Sequence, residues 1–243
     1  MPLLVETLPD VERWGRDSRY NYIDEPKWSG ESMQATQGRL QRDLETNAQF
    51  GALDGVDGHG RTVLTGTDAN RDAREQLVDR FEDAGLTVTV DTVGTIVGRW
   101  TPDSADPSAA PVATGSHLDS VPVGGIFDGP LGVYGGLEAV RTLQQTDCEP
   151  VRPIDVVCFT EEEGGRFGNG LLGSSVSTGR LDVEEALVFE DESGTTLESV
   201  ASGWIKVETR TLASRLTTAS RRTAIDTDEK PGSPSQRFYL ARE

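Results

Sequence analysis

Three short stretches of the sequence carry residues able to hold metal ions and move protons. They are Gly115-Ser116-His117-Leu118-Asp119, Phe127-Asp128-Gly129 and Thr160-Glu161-Glu162-Glu163-Gly164-Gly165-Arg166-Phe167. An imidazole with several carboxylates is the donor set of a bridged metal pair, which activates water and stabilises a developing oxyanion. Each residue also has a plainer reading. A histidine at a strand end is commonly structural, and an aspartate just before a helix is placed to cap it. Three consecutive acids in an acidic chain could simply face water. If they meet at a sheet edge, a cation is the usual means of holding them together. Asp119 could accept a hydrogen bond from the far nitrogen of His117 and fix its tautomer, as carboxylates beside metal-bound histidines do. Glycines around Asp128 would let the backbone fold it back toward His117, eleven residues earlier. The only other histidine, His59, falls in an Asp/Gly-rich loop, where exposure to solvent is expected.

The elements that must position these residues alternate between helix and strand. Residues 34–50 are amphipathic, with Leu40, Leu44 and Ala48 on one face. Asp68 or Asn70 could cap a helix over 71–84, in which Ala73, Leu77, Val78 and Phe81 recur at helical spacing and Gly85 supplies the stop. Residues 86–91 and 95–100 read as strands about a turn at Gly94. A short apolar strand over 111–115 delivers Ser116 and His117, and Pro130 opens a helix running to about residue 145. Residues 154–159 are a β-branched, mainly apolar run, the pattern of a strand covered on both faces. Together these imply an α/β layer of mostly parallel strands flanked by helices.

The net charge is −18, from 41 acidic and 23 basic residues, and only Lys27, Lys206 and Lys230 are lysines. Such a surface repels nucleic acid and anionic membranes, and it suits a protein kept soluble in concentrated salt. Cys148 and Cys158 give no disulfide framework. No secretory leader or membrane-length apolar run is evident, so a soluble, cytoplasmic protein is expected. Near residue 201 the composition changes. Residues 202–243 hold eight basic and five acidic residues, and the rest hold 15 basic and 36 acidic. Three segments are therefore expected: an extension over 1–29, a metallohydrolase segment over 30–201, and a divergent, disordered tail over 202–243.

The motifs carry a resemblance over roughly residues 30–200. Gly-Ser-His-x-Asp-Ser-Val-Pro over 115–122, Gly-Gly-x-x-Asp-Gly-x-x-Gly over 124–132 and Glu-Glu-Glu-Gly-x-Arg-Phe over 161–167 resemble the amidohydrolase branch of the dinuclear aminoacylase and carboxypeptidase superfamily. Its members include N-carbamoyl-L-amino-acid hydrolases, β-ureidopropionases and allantoate amidohydrolases. Gly173-Ser174 also fits, while Thr95 stands where asparagine is expected. The compact spacing before Asp128 favours the amidase branch over the aminoacylase and dipeptidase-type metallopeptidases. The resemblance implies a zinc-exopeptidase-like fold and two divalent ions, zinc, manganese or cobalt. It implies that His117 binds one metal, Glu163 binds the other and Asp128 bridges them, with Glu162 as general base and Asp119 orienting His117. It also implies a cis peptide after Asp128 and hydrolysis of a linear amide or ureido C–N bond in a small-molecule substrate.

The resemblance further implies two more histidine ligands, the first in a His-Ile-Glu-Gln-Gly setting shortly after residue 200, and a lid and dimerisation domain between them. No histidine follows His117, and the lid domain has no counterpart in the sequence. Each metal would then keep two protein ligands where catalytic zinc typically has three. Weak metal binding and little amidase activity are expected of these 243 residues alone, as from a hydrolase fragment or a non-catalytic binding remnant. The charge reversal suggests a shifted reading frame from about Ser202, which the gene's other frames would reveal.

Overall fold

A computed structural model of the chain describes residues 33–54 and 60–204. The N-terminal extension, His59 and the tail beyond Trp204 lie outside the described residues, and the element order starts at α1 (Gln37–Asn47). β1 (Gly60–Arg61), α2 (Asp68–Asp83), β2 (Thr87–Val90), β3 (Ile96–Trp100), β4 (Val112–His117) and β5 (Gly124–Gly125) follow. Then come α3 (Pro130–Leu143), β6 (Ile154–Phe159), α4 (Leu172–Ser177), α5 (Val183–Leu187) and α6 (Leu197–Ala201). Among the described residues no helix is long and apolar enough to cross a membrane.

The main sheet has the order β2-β3-β6-β4. The α/β class holds, but parallel pairing is confined to β4 with β6. A tight turn at Gly94 makes β2 and β3 an antiparallel hairpin, and β6 runs antiparallel to β3. Gly94 has φ +94°, and Trp204 lies so close over it that a side chain there would clash with the indole. A second, two-stranded ribbon pairs β1 with β5.

Alternation along the strands decides the core. Ile96, Val156 and Cys158 point to one face, where they pack with Leu77, Phe81, Val133, Tyr134 and Leu137 from α2 and α3. Val97 and Val157 point the other way and form a small cluster with Phe159. Within β6, Asp155 is the polar exception; it accepts two hydrogen bonds of 2.6 Å from its register partner Arg99. A third cluster joins Val93, Phe167, Leu172, Val176, Ala186, Leu197 and Trp204. Packed chain thus continues to Trp204, past the composition change at residue 201.

The helix ends correct the sequence expectation. Thr67, not Asp68 or Asn70, caps α2: its Oγ1 accepts the Asn70 N–H at 3.3 Å. Threonine one residue upstream has its hydroxyl at the N3 amide, whereas Asp68 already lies within the first turn. Asn70 instead accepts the Gly66 N–H at 3.0 Å.

Candidate metal and catalytic site

Parallel pairing of β4 with β6 sets His117 opposite Phe159, so both acidic stretches leave the same end of the sheet. This is where α/β sheets present ligands. β4 ends two residues later than expected, and His117 is its last residue rather than a loop residue.

Asp128 enters from the segment between β5 and α3. The N-cap of α3 is Gly129, with Pro130 in the first turn, so the Asp128 carboxylate is not consumed as a cap. Gly129 has φ +83°, and any side chain on it would strike the His117 ring. Glycine here lets Asp128 come alongside the imidazole. The described residues contain no cis peptide bond, so the cis form expected at Asp128–Gly129 is not adopted; the positive φ of Gly129 makes the turn. On the upstream side, the β1–β5 ribbon ties residues 60 and 61 to 125 and 124. Arg61 is fully buried and donates to Asn47 Oδ1 at 2.7 Å and to the Leu118 carbonyl at 2.9 Å. Ser120 exchanges hydrogen bonds with the Val63 backbone at 2.9 and 3.0 Å. The His117–Asp128 segment is thereby clamped along its length.

One atom each of His117, Asp128 and Glu163 lies within 4.8 Å of the others. His117 Nδ1 is 3.0 Å from the Asp119 carbonyl oxygen, which can only accept, so Nδ1 carries the proton and Nε2 is left as a donor to a metal. Nε2 lies 3.7 Å from Glu163 Oε1. The side chain of His117 is 12 % exposed, that of Glu163 23 %. A nitrogen and carboxylate oxygens at such separations fit a divalent metal ion.

Asp119 takes a divided role. Its carbonyl fixes the imidazole, while its carboxylate stands 3.7 Å from Nδ1 and accepts the Glu163 N–H at 3.0 Å. The expected carboxylate contact is thus replaced by a backbone one, because Asp119 Oδ2 turns toward the second loop. It ties the His117 stretch to the Glu163 stretch.

The three glutamates diverge. Glu161, at φ +53°, is buried and accepts the Arg166 and Phe167 N–H groups at 2.9 and 2.7 Å, folding the acidic loop upon itself. Glu162 accepts from both the backbone N–H and the hydroxyl of Ser174, each at 2.9 Å. Glu163 turns to His117 and Asp128. Burial pushes the Glu162 carboxyl up, opposed by the two Ser174 bonds and by His117. Burial also raises Glu163; His117 opposes this, and Asp128 and Asp119 add to it. A carboxylate so crowded is relieved by a cation. Arg61, Glu161 and Ser174 had no role in the sequence reading. The Gly173-Ser174 pair was visible as a motif, but its contact with Glu162 depends on α4 folding back over twelve residues.

The model of Peptidase family M28 matches residues 95–185. An N-carbamoyl-L-amino-acid amidohydrolase of Rhizobium meliloti is 40 % identical over 178 residues, covering 72 % of this chain and 42 % of its own length. A ureidoglycolate hydrolase of Arabidopsis thaliana is 41 % identical over 121 residues, covering 50 % of this chain and 25 % of its own length. The crystal structure of a hydantoinase/carbamoylase family amidase from Burkholderia ambifaria superposes with a TM-score of 0.67 at 40 % identity, over 71 % of this chain and 41 % of that one. The chain therefore spans less than half the length of these relatives. Over the part they share, the chain is similar to N-carbamoyl-L-amino-acid amidohydrolases and to amidases of the hydantoinase/carbamoylase family.

Proposed function

We propose that the chain provides the metal-binding and proton-transfer residues of a hydrolase for linear amide or ureido C–N bonds, with an N-carbamoyl amino acid or an allantoate-type molecule as substrate. The convergence of His117, Asp128 and Glu163 within 4.8 Å, beside a Glu162 engaged elsewhere, carries this reading. His117 Nε2 and Glu163 would each hold a divalent ion (zinc, manganese or cobalt), with Asp128 between them. When bound, such an ion acidifies water and polarises a carbonyl. Glu162 takes the proton of the attacking water and returns it to the leaving nitrogen. Burial, by raising its proton affinity, suits it to both steps. Ser174 fixes its carboxylate plane, and Asp119 holds His117 and the Glu163 backbone in register. A metallopeptidase is the second reading, favoured by the match of residues 95–185 to a peptidase family. We place the protein in the cytoplasm, away from nucleic acid and membrane, on its charge.

Three donors shared by two ions leave each with two, one fewer than catalytic zinc typically keeps, and little turnover is expected of the 243 residues alone. The test is calorimetric titration of the purified chain with zinc, manganese and cobalt, alongside hydrolysis assays on N-carbamoyl amino acids. Saturable metal binding that disappears in His117→Ala is the expected result. Binding unchanged by His117→Ala overturns the site, and robust turnover overturns the expected weakness.

A further inference from the structure

On the helical side of the molecule a cavity of about 410 Å³ opens beside α1. Its wall includes Arg39, Arg42, Asp43, Glu45, Arg80 and Arg141. Four guanidiniums around one hollow are conspicuous in a chain of net charge −18.

Beneath the wall, three of them share two buried carboxylates. Arg39 donates to both oxygens of Glu138 at 2.6 and 2.8 Å. Arg141 reaches Asp43 at 2.5 Å, and Arg80 Nε lies 3.0 Å from the same carboxylate. Arg42 has no acidic partner among the described residues. Glu45 is hydrogen-bonded to Gln41 at 2.7 Å, and Asp83, 3.4 Å from Arg80, is 70 % exposed and outside the wall. The wall with its two buried carboxylates therefore keeps one net positive charge. A network serving packing alone would close around balanced pairs; this one leaves an unpaired guanidinium on open space.

We propose that this cavity binds a small multivalent oxyanion of the phosphate class. Each guanidinium has five N–H donors, and Arg39 gives only two to Glu138, so donors remain for a ligand. The planar fork of arginine matches tetrahedral oxyanions in pairs of bonds. A bound anion would tie Arg42 and Arg39 of α1 to Arg80 of α2 and Arg141 of α3, so occupancy registers as stability of the helical layer.

The test uses the full chain stripped of metal with a chelator, so that the acidic site cannot capture the probe. Inorganic phosphate and pyrophosphate are titrated at ionic strength held constant with sodium chloride, followed by thermal unfolding and ³¹P line broadening. At about 100 times Kd the Tm should rise by roughly 5–10 °C. Arg42→Gln should weaken phosphate binding on the order of tenfold or more, the loss of one charge-assisted contact, with the ligand-free Tm unchanged. Stabilisation equal to that in matched chloride overturns the proposal, as does binding unaffected by Arg42→Gln. Should Arg42→Gln fail to fold, Arg42→Lys decides: weaker binding supports the site, and unchanged binding overturns it.

Discussion

Two clusters of acids in this molecule are held in opposite ways. Asp43 and Glu138, buried between α1 and α3, lie against guanidiniums. Burial pushes the Glu138 carboxyl up, but the paired bond from Arg39, the Thr36 N–H and Arg141 outweigh it and hold it below the usual range. Asp128 and Glu163 at the sheet edge meet the His117 imidazole and, among the described residues, no ion-paired guanidinium, and Glu163 is pushed up by burial. In the first cluster the buried acids are paired within the chain. Among the described residues the second has no ion pair to a guanidinium or ammonium, Arg61 acting on Asp128 without one, which suits it to a cation; the buried acids of the first are held by the chain's own arginines.

The comparison breaks most severely at Glu138. Glu138→Ala leaves Arg39 and Arg141 facing a hole in the helical layer, and removal of one partner from a buried pair costs about 3–5 kcal/mol. Urea denaturation should show that loss. A change under about 1 kcal/mol would mean the pair is solvated and the cluster is not structural.

Asp91 is a third case, a buried acid held mainly by backbone. Its Oδ1 accepts the Val93 and Thr95 N–H groups at 3.1 and 2.8 Å, while Oδ2 is buried without a partner. Burial pushes the carboxyl up to about 6, against those hydrogen bonds and Arg74. A folded value above the unfolded one means that the folded state binds the proton more tightly. Stability from this group is present below the unfolded pKa near 4 and is lost as pH rises to about 6, a change of about 3 kcal/mol. Asp91→Asn keeps the Oδ1 acceptor and should flatten the unfolding profile between those pH values. Identical profiles for the two proteins would show that Asp91 stays ionised.

At the sheet edge, removal of a proposed ligand should act on metal affinity rather than on the fold. Glu163→Gln relieves the crowding with Asp128 and should leave the metal-free Tm equal or higher, while weakening zinc binding by at least about 10–100-fold, the scale of lost supporting contacts. Competition with a chromophoric chelator measures it. A fall in metal-free stability would place Glu163 with the architectural acids.

These contrasts mark what the sequence makes legible. Periodicity locates α1, α2, α3 and the main strands, because each buries a face long enough to show its repeat. Residues 172–201 show none, since α4, α5 and α6 run for six, five and five residues. The antiparallel β3–β6 pairing joins residues some sixty positions apart and leaves no local trace. At the site, residue types and spacing point to His117, Asp128 and Glu163. The directions of the three adjacent glutamates do not follow from their order, because the positive φ of Glu161 breaks any strand or helix alternation. That break sends Glu161 inward, Glu162 to Ser174 and Glu163 to the imidazole.

The smallest effect is the most selective. Ser174 touches Glu162 and none of His117, Asp128 or Glu163 among its hydrogen bonds. Ser174→Ala removes the hydroxyl bond to Oε2 but keeps the N–H bond to Oε1, so stability should fall by about 1 kcal/mol. Zinc affinity should stay within about twofold, since changes at residues without shared partners act independently. If zinc binding falls together with stability, Glu162 and Glu163 move as one acidic loop. If only stability falls, the proposed proton-carrying carboxylate Glu162 and the proposed metal-facing Glu163 are held separately, by Ser174 of α4 and by Asp119 after β4, and the acidic stretch is two sites joined at one peptide bond.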